Sequence, residues 1–419
     1  MSTHDLLALK ARLLIEGVHV DAPSLEALPQ RWKQRTEHLY QHDRGAVAPF
    51  SYPQEVVLAR GSTRWHDTVV NVRLNQASPW SLAARDGLVE LRGPDVRREV
   101  DLVPYPRYYD DVLEDGTAMS SVVQHLGADA LGVIPNNFCS YFAEGEECRF
   151  CEIEPSFRQV GGFRRFRKPV ELIVEGLTTA ARLQDDAGIL VLTAGNLRRN
   201  DRTAAYYADI IERVRAGVTR PMYAYASIMP PEDPAHLEEL HEAGFDSVAF
   251  NLEFHDLDQF QRLAPGKARY GRERLLERLA QSIDIFGRGH VYSNLVYGIQ
   301  TWDEGQDRVD WERENSVALE GAAALVERDV VPLFTVYHSS GKNHTGSISL
   351  DPAATVDFFS QLGGLCEEAD IAYHGHTGLL FNTCTLTNTL YNDALAAERR
   401  RRGRPESGFG PTSLIGAVS

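Results

Sequence analysis

From about residue 130 onward, short apolar runs alternate with longer segments in which apolar residues recur every three or four positions. The short runs are typical of buried strands, and the longer segments are typical of amphipathic helices. Six strands are predicted: ALGVIP (130–135), ILVLT (189–193), MYAYASI (222–228), SVAFNLE (247–253), VYSNLVYGI (291–299) and VVPLFTVY (330–337). Because strands that alternate with helices form right-handed β-α-β units, the pattern predicts a parallel sheet.

Six such units predict an α/β fold, either a doubly wound sheet or a barrel, and we expect a partial (β/α)6 TIM-like barrel over residues 130–350. Before it, leucines at helical spacing and the strand-like segments EVVLAR, TVVNVRL and LVELRG predict an N-terminal α+β extension, residues 1–129, of unknown role. Residues 351–402 are expected to close the barrel as a helix and strand extension, and residues 403–419 to form a flexible tail.

Polar or glycine-rich residues follow several of the predicted strands. The second strand runs into Thr193, Ala194, Gly195 and Asn196, the fourth ends with Asn251 and Glu253, the fifth with Gly298 and Ile299, and the sixth with Tyr337 and His338. Parallel β/α folds place their chemistry at the carboxyl ends of the strands. We therefore expect these residues to meet at one face of the barrel.

Three cysteines, Cys139, Cys148 and Cys151, follow the first strand with the spacing C-x8-C-x2-C. Thiolates so crowded in a chain that is not secreted usually share a metal, and sulfur suits iron–sulfur clusters or zinc. Three ligands are one short of the four that close a zinc site or a four-iron cluster. The fourth ligand is then a cofactor or substrate at a cluster, or a histidine at zinc.

Cys366 is expected to be a buried core thiol, and with Cys384 it is too isolated to hold a second cluster.

Charge and composition limit the classes of substrate and binding partner. The chain has 43 Lys and Arg against 59 Asp and Glu, a net charge of -16, which disfavours a broad nucleic-acid surface. Small molecules or peptides are the expected substrates. Charged residues interrupt the apolar periodicity of the first seventeen residues, which favours an amphipathic helix over a signal peptide, and no apolar run reaches membrane-spanning length. With five cysteines and no disulfide pattern, we expect a cytoplasmic protein without a membrane anchor.

The cysteine loop with Phe150 in CRFC, the TAGN turn and the FNLE strand end together resemble radical S-adenosylmethionine (SAM) enzymes, especially the biotin synthase and aromatic amino-acid lyase branch. The resemblance covers roughly residues 130–350. It implies that Cys139, Cys148 and Cys151 hold a [4Fe-4S] cluster whose open iron binds the amino and carboxylate groups of SAM. An external electron donor such as flavodoxin or ferredoxin would reduce the cluster. SAM cleavage would then give a 5′-deoxyadenosyl radical that takes hydrogen from a small organic substrate.

The commonest spacing in that family is C-x3-C-x2-C, whereas eight residues separate the first two cysteines here. A longer loop can still bring Cys139 to the cluster, because the cost of loop closure grows slowly with length. Residues 1–130 contain no D-x-H-x-x-G cobalamin signature, which disfavours cobalamin-dependent methyl transfer. Rearrangement, cleavage, dehydrogenation and other group transfers all stay open.

The resemblance also implies roles for individual residues. Phe150 would cover the adenine or shield the cluster, the turn from Thr193 to Asn196 would meet the SAM ammonium, and Gly298 and Ile299 would line the cofactor site. It also implies Asn251 and Glu253 for the ribose or amino group, and Lys267 and Arg269 for the methionyl carboxylate. Tyr337 and His338 are candidate catalytic residues from their position alone, because they follow the sixth strand and would contact substrate or quench a radical; an ordinary hydrogen-bonded loop histidine is the competing interpretation of His338.

Other interpretations compete with these. The chain could be a zinc-stabilised α/β protein that binds a ligand without radical chemistry, or an inactive relative that binds SAM as a regulator. Gly195 alone is also typical of an ordinary strand-to-helix turn. Arg198 and Arg199, which follow that turn, either bind a substrate carboxylate or form a solvated helix start.

Overall fold

A computed structural model of the chain describes residues 3–34, 50–60, 67–127, 130–159, 167–305, 308–339, 341–371 and 386. The expected tail, Cys384 and all of the segment 372–402 except Leu386 lie outside these residues.

The strands are β1 (His19–Val20), β2 (Glu55–Ala59), β3 (Thr68–Asn71), β4 (Ser81–Arg85), β5 (Leu88–Arg92), β6 (Arg97–Leu102), β7 (Gln124–Leu126), β8 (Ala130–Val133), β9 (Ile189–Thr193), β10 (Tyr223–Ser227), β11 (Ser247–Ala249), β12 (Val291–Tyr297) and β13 (Val331–Val336). The helices are α1 (Thr3–Glu16), α2 (Ala22–Glu26), α3 (Met119–Val122), α4 (Ser140–Glu144), α5 (Ile153–Gln159), α6 (Val170–Leu183), α7 (Asn200–Gly217), α8 (Ala235–Glu242), α9 (Leu257–Leu263), α10 (Pro265–Tyr270), α11 (Arg272–Phe286), α12 (Trp311–Val326) and α13 (Pro352–Glu368).

One sheet contains the predicted parallel strands. Its order is β13-β12-β11-β10-β9-β8-β7, with β8 to β13 parallel and β7 antiparallel at the edge. The sheet is curled, because one small buried cluster contains Ala130 from β8 together with Val331 and Leu333 from β13. The prediction of an α/β fold with a curled, barrel-like parallel sheet is confirmed.

The inner face of this sheet changes from apolar to polar toward the carboxyl ends of the strands. Val191, Tyr225, Tyr292 and Leu333 belong to the inner cluster, and the residues two positions further along their strands are Thr193, Ser227, Asn294 and Thr335. Since side chains alternate between the faces of a strand, each polar residue lies on the same face as its apolar predecessor. The barrel therefore has an apolar floor beneath a layer of neutral hydrogen-bonding groups.

The helices that surround the sheet begin where the sequence provides caps. Asp310 and Asp351 precede α12 and α13, and their carboxylates accept hydrogen bonds from the backbone N–H of Arg313 at 3.2 Å and Ala354 at 2.7 Å. Such caps satisfy amide groups that a helix start leaves without partners. They fix the ends of the two helices that cover β12 and β13.

The N-terminal region forms a second sheet, ordered β1-β4-β5-β6-β2-β3, that packs on the barrel. The segments β2, β3 and β5 were predicted from the sequence, whereas β1, β4, β6 and β7 were not.

The Arg73 guanidinium joins the N-terminal region to the barrel, because it donates to the carbonyl oxygens of Leu14 and, at 3.2 Å, Val336. Lys33 and Glu55 form a fully buried ion pair at 2.7 Å. A continuous hydrophobic core therefore crosses the boundary expected near residue 129.

None of the helices in the described part of the chain is both long and apolar enough to cross a bilayer.

An aromatic cluster joins α13 to the barrel wall, and Phe358 is its centre. The Phe358 ring stacks on Tyr297 with centroids 4.5 Å apart and meets Phe334 edge-on at 4.8 Å.

Replacing fully buried Phe358 by Ala should lower the free energy of unfolding by about 3–5 kcal/mol, because it removes this burial and leaves a cavity. Urea unfolding measures the change. Leu257, which is 52% exposed, is the control, and an equal loss in Leu257→Ala would contradict the interpretation.

Candidate active site

The cysteine loop leaves the carboxyl end of β8 and contains a short helix. Cys139 lies immediately before α4, and Gly145 ends that helix in the left-handed conformation, with φ 69°. Cys148 and Cys151 follow in a turn in which the Cys151 N–H donates to the Cys148 carbonyl oxygen at 2.9 Å. Five of the eight residues between the first two cysteines thus form the short helix α4. The long spacing is therefore compatible with a compact loop.

The TAGN turn packs directly against this loop. The backbone N–H of Asn196 donates to the Cys139 Sγ at 3.3 Å, and the Ser140 N–H donates to the Asn196 carbonyl oxygen at 2.8 Å. A Cβ atom on Gly195 would lie 2.2 Å from the Phe138 carbonyl oxygen and 2.7 Å from the Cys139 Cβ. Only glycine allows this approach, so the turn fixes the position of the first cysteine.

The polar side chain of the turn faces the next helix. Asn196 donates through Nδ2 to the Asn200 Oδ1 at 2.7 Å and accepts through Oδ1 from the Thr203 hydroxyl at 3.1 Å. These contacts anchor the start of α7 to the turn. Thr193 and Ala194 are half-buried at the end of β9. The predicted SAM contacts of the turn therefore depend mainly on its backbone.

Glu253 and Lys267 form a buried ion pair beside the loop. The Lys267 Nζ lies 2.7 Å from the Glu253 Oε1 and 2.7 Å from the Asn251 carbonyl oxygen. A Cβ on Gly266, the residue before Lys267, would come within 2.5 Å of the Tyr141 ring, so α10 packs closely on the cysteine loop. The structure thus brings the predicted acidic and basic residues together at the edge where the cysteines lie.

The Glu253 backbone is strained. Strand β11 ends at Ala249, earlier than predicted, and Glu253 has a positive φ of 66°. Its N–H donates to the Asn294 carbonyl oxygen at 2.9 Å, and its carbonyl oxygen accepts from the Gln300 Nε2 at 2.7 Å. A left-handed conformation in a residue other than glycine costs on the order of 1–3 kcal/mol and is frequent at functional sites. The strain places the carboxylate beside Lys267.

Burial controls the ionisation of these groups. It raises the pKa of all three thiols, that of Cys151 to about 12, while the charge of Lys267 acts in the opposite direction on each. Burial also lowers the pKa of Lys267, but Glu253 and Cys148 outweigh it, so the Lys267 pKa is raised. Without a metal the thiols are therefore protonated, and metal binding would displace their protons.

Two predicted residues have neighbours that suggest supporting roles. Arg269 is largely exposed and forms ion pairs with Glu144 and, at 2.6 Å, with Glu146, which tie α10 to the cysteine loop. Phe150 is half-buried and meets the Phe254 ring edge-on, with centroids 5.5 Å apart. The Arg269 contact stabilises the outer side of the loop, and Phe150 lies on its inner, apolar side.

The loop after β12 is organised by a buried carboxylate that the sequence did not reveal. Glu314 accepts hydrogen bonds from the N–H groups of Gly298 at 2.7 Å and Gln300 at 3.0 Å, and from Thr301. Gly298 has φ 102°, and Ile299 is fully buried. Burial raises the Glu314 pKa, although these hydrogen bonds oppose the shift.

The segment after β13 clamps the cysteine turn. The Asn343 Nδ2 donates to the Phe150 carbonyl oxygen at 2.9 Å, and the His344 N–H donates to the Arg149 carbonyl oxygen at 2.8 Å. The Tyr337 hydroxyl lies 2.6 Å from the Thr345 Oγ1, and His338 next to it is half-buried. These contacts were not predicted from the sequence. Their signal is the polar tetrapeptide Asn343 to Gly346 after the last strand.

The donor set fits an iron–sulfur cluster. Cys139, Cys148 and Cys151 come from one loop, interact electrostatically with one another, and include one sulfur that accepts a backbone N–H, as cluster sulfurs commonly do. Among the residues that the structure describes, no three His, Cys, Asp or Glu side chains are arranged to hold a single metal ion. Cys366 is fully buried in α13, as predicted.

The close contact at Gly195 can be tested by substitution. Gly195→Ala should displace the cysteine loop and lower both the melting temperature and the iron bound per chain, because the added Cβ meets backbone atoms. Iron analysis and circular dichroism measure the two effects. Gly364→Ala, in open space on α13, is the matched control and should leave both unchanged or raise stability slightly. Full iron content and normal melting in Gly195→Ala would refute the proposed packing role.

No family model matches the chain. In sequence, the chain is 26% identical to the bacteriochlorophyllide c C-7(1)-hydroxylase of Chlorobaculum limnaeum over 242 residues, which are 54% of this chain and 56% of the hydroxylase. The chain thus spans little more than half the length of this relative.

Two solved structures show a partial likeness. The [FeFe]-hydrogenase maturase HydG from Carboxydothermus hydrogenoformans has a TM-score of 0.43 and 14% identity, over 61% of this chain and 57% of HydG. A radical SAM methyltransferase from Sphaerobacter thermophilus has a TM-score of 0.38 and 15% identity, over 71% of this chain and 77% of the methyltransferase. The chain is therefore similar in sequence, over about half of its length, to a bacteriochlorophyllide hydroxylase.

Proposed function

We propose that the chain is a radical SAM enzyme that acts on a C–H bond of a small organic substrate. The observation that carries this proposal is the meeting of three cysteine thiols with the Glu253–Lys267 pair at the carboxyl edge of the curled sheet. When bound, a [4Fe-4S] cluster would supply the electron that cleaves SAM and generates a 5′-deoxyadenosyl radical. Cys139, Cys148 and Cys151 would hold three of its irons.

Glu253 and the TAGN turn would hold the SAM. The cofactor carries a positive sulfonium and a hydrogen-bonding amino group, and a buried carboxylate is a strong partner for such a cation. Glu253 is only 6% exposed, so its attraction is little screened by water. The carbonyl groups of Thr193 and Ala194 are the proposed additional acceptors. Lys267 would favour the anionic, thiolate-ligated state of the site, since its charge acts on all three thiols.

The barrel interior would hold the substrate. The interior contains the apolar inner cluster and, above it, neutral polar groups such as Asn294 and Thr335. The Thr335 hydroxyl donates to the Asn294 Oδ1 at 3.0 Å. Such a surface binds an apolar molecule with a few hydrogen-bonding groups and excludes water from a reactive radical. The similarity to a hydroxylase, whose name specifies oxidation at carbon, supports a C–H bond as the target.

Tyr337 and His338 would act on the substrate side. Burial raises the Tyr337 pKa, so its phenol keeps its proton at neutral pH and can donate a hydrogen bond or a hydrogen atom. Hydrogen bonds to the Thr345 hydroxyl and the Gly346 carbonyl oxygen fix the position of the phenol oxygen. Tyr337 would therefore help to position the substrate as a neutral, polar group.

Metal analysis tests the cluster. Anaerobically purified protein should be brown, contain about four irons per chain, and absorb near ~400 nm. Each of Cys139→Ala, Cys148→Ala and Cys151→Ala should lose this iron, because each thiolate is one of only three protein ligands that would anchor the cluster. Cys366→Ala, which removes a buried thiol from α13, should keep it. A colourless protein with one zinc would favour the structural zinc interpretation and overturn the proposal.

Glu253→Gln should weaken SAM binding by about tenfold or more while the iron content is retained, because the substitution removes the carboxylate but not the cysteines. The variant also breaks a buried ion pair, which by itself lowers stability. Glu55→Gln is the matched control, since Glu55 pairs with Lys33 at the same 2.7 Å in the distant N-terminal sheet. Equilibrium binding of SAM to both variants should show a loss only for Glu253→Gln. Equal affinities would remove Glu253 from the SAM site.

A further inference from the structure

A groove of about 890 Å³ lies outside the barrel, against the outer side of the cysteine loop. Its lining includes Phe138 and Ser140, the two neighbours of Cys139 in the chain. Arg198, two residues before α7, and Arg202, in the first turn of that helix, also line it. The groove therefore lies next to the first cysteine, because both of its chain neighbours line it.

The charge of this groove is opposite to that of the protein as a whole. The chain carries a net charge of -16, whereas Arg167, Arg198 and Arg202 all line the groove and are exposed. Within the described part of the chain, neither Arg198 nor Arg202 has a hydrogen bond or ion pair. Exposed arginines that lack carboxylate partners give this surface a local positive potential.

The two acidic residues of the groove do not cancel that potential. Glu144 forms an ion pair with Arg269, which is not part of the groove, and Asp209 lies 4.0 Å from Arg213. Each carboxylate is therefore balanced by an arginine from outside. Arg167 stacks over the Tyr206 ring at 4.1 Å, which holds its guanidinium along the groove.

The apolar part of the groove is suited to protein contact. Phe138, Leu197, Ala143 and Ala205 line the groove together with the arginines. Protein interfaces combine apolar contact area with an enrichment in arginine. Electrostatic complementarity at such a surface mainly raises the association rate and selects the partner.

We infer that this groove is the docking surface for a small acidic protein that delivers one electron to the cluster. The inference rests on the proposed function, because it requires a cluster at Cys139. One electron leaves the reduced carrier and enters the oxidised cluster, and no atom is transferred. The net charge of -16 disfavours the approach of an acidic carrier to the protein as a whole, whereas the arginines of the groove attract it, so it would dock beside the cysteine loop.

Flavodoxin, reduced and in excess, is the probe for the test with cluster-loaded holoenzyme. The double variant Arg198→Glu/Arg202→Glu should lower the second-order rate of cluster reduction by flavodoxin about tenfold and weaken the salt dependence of that rate. Calorimetry with oxidised flavodoxin should show a parallel loss of affinity. Arg198→Lys/Arg202→Lys keeps the charge and should keep most of the rate.

Arg182→Glu is the matched control, because Arg182 is exposed in the last turn of α6, at the opposite end of the sheet. It should reduce the flavodoxin rate only slightly. Iron content and reduction by dithionite should stay normal in the double variant, which separates docking from cluster assembly.

An unchanged flavodoxin rate and affinity in the double variant, with its cluster present, would overturn the inference while leaving the proposed function intact. The same holds if Arg182→Glu has an equal effect, or if the arginine variants lose substrate affinity in place of flavodoxin affinity. Absence of iron from the unaltered protein would instead refute the proposed function itself.

Discussion

The contact between the TAGN turn and the cysteine loop is the constraint on which the candidate site depends. Gly195 lies where any side chain would overlap the backbone of Phe138, and the neighbouring Asn196 N–H donates to the Cys139 sulfur. The first cysteine is thus held against the end of β9 by backbone atoms. A long loop that would otherwise sample many conformations is fixed at the mouth of the barrel.

Other elements hold the same loop from different sides. Arg269 links it to α10, and Asn343 and His344 link it to the segment after β13. Each contact joins the loop to a different part of the sheet edge. Because these partners are far apart in the chain, the loop geometry depends on the complete barrel. A site supported in this way is preorganised, which lowers the cost of binding a cluster and a cofactor.

Burial and charge together set the electrostatics of the site. Three half-buried thiols and the buried Glu253 carboxylate interact with the buried Lys267 ammonium, so each charge affects the others. The outer surface of the same loop instead carries exposed arginines. One segment of chain therefore lies between an interior that contains the Glu253–Lys267 pair and an exterior that carries exposed arginines.

The sequence alone determined the alternation of strands and helices from residue 130 and the clustering of polar residues at the strand ends. These features are local, since the apolar runs of β9 and the periodicity of α6 can be identified without knowledge of their neighbours. The short strands of the N-terminal sheet were only partly predicted, because strands as short as β1 depend on pairing partners that a local pattern does not reveal.

Only the tertiary structure decided which of those polar residues meet. Lys267 pairs with Glu253 across fourteen positions, and Asn343 reaches Phe150 across 193. Such distances between sequence positions are bridged by the curl of the sheet, and no spacing rule encodes them. The residue types and their strand-end positions are properties of the sequence. The ion pair, the left-handed Glu253 and the arginine groove exist only because the folded sheet brings distant segments to one edge.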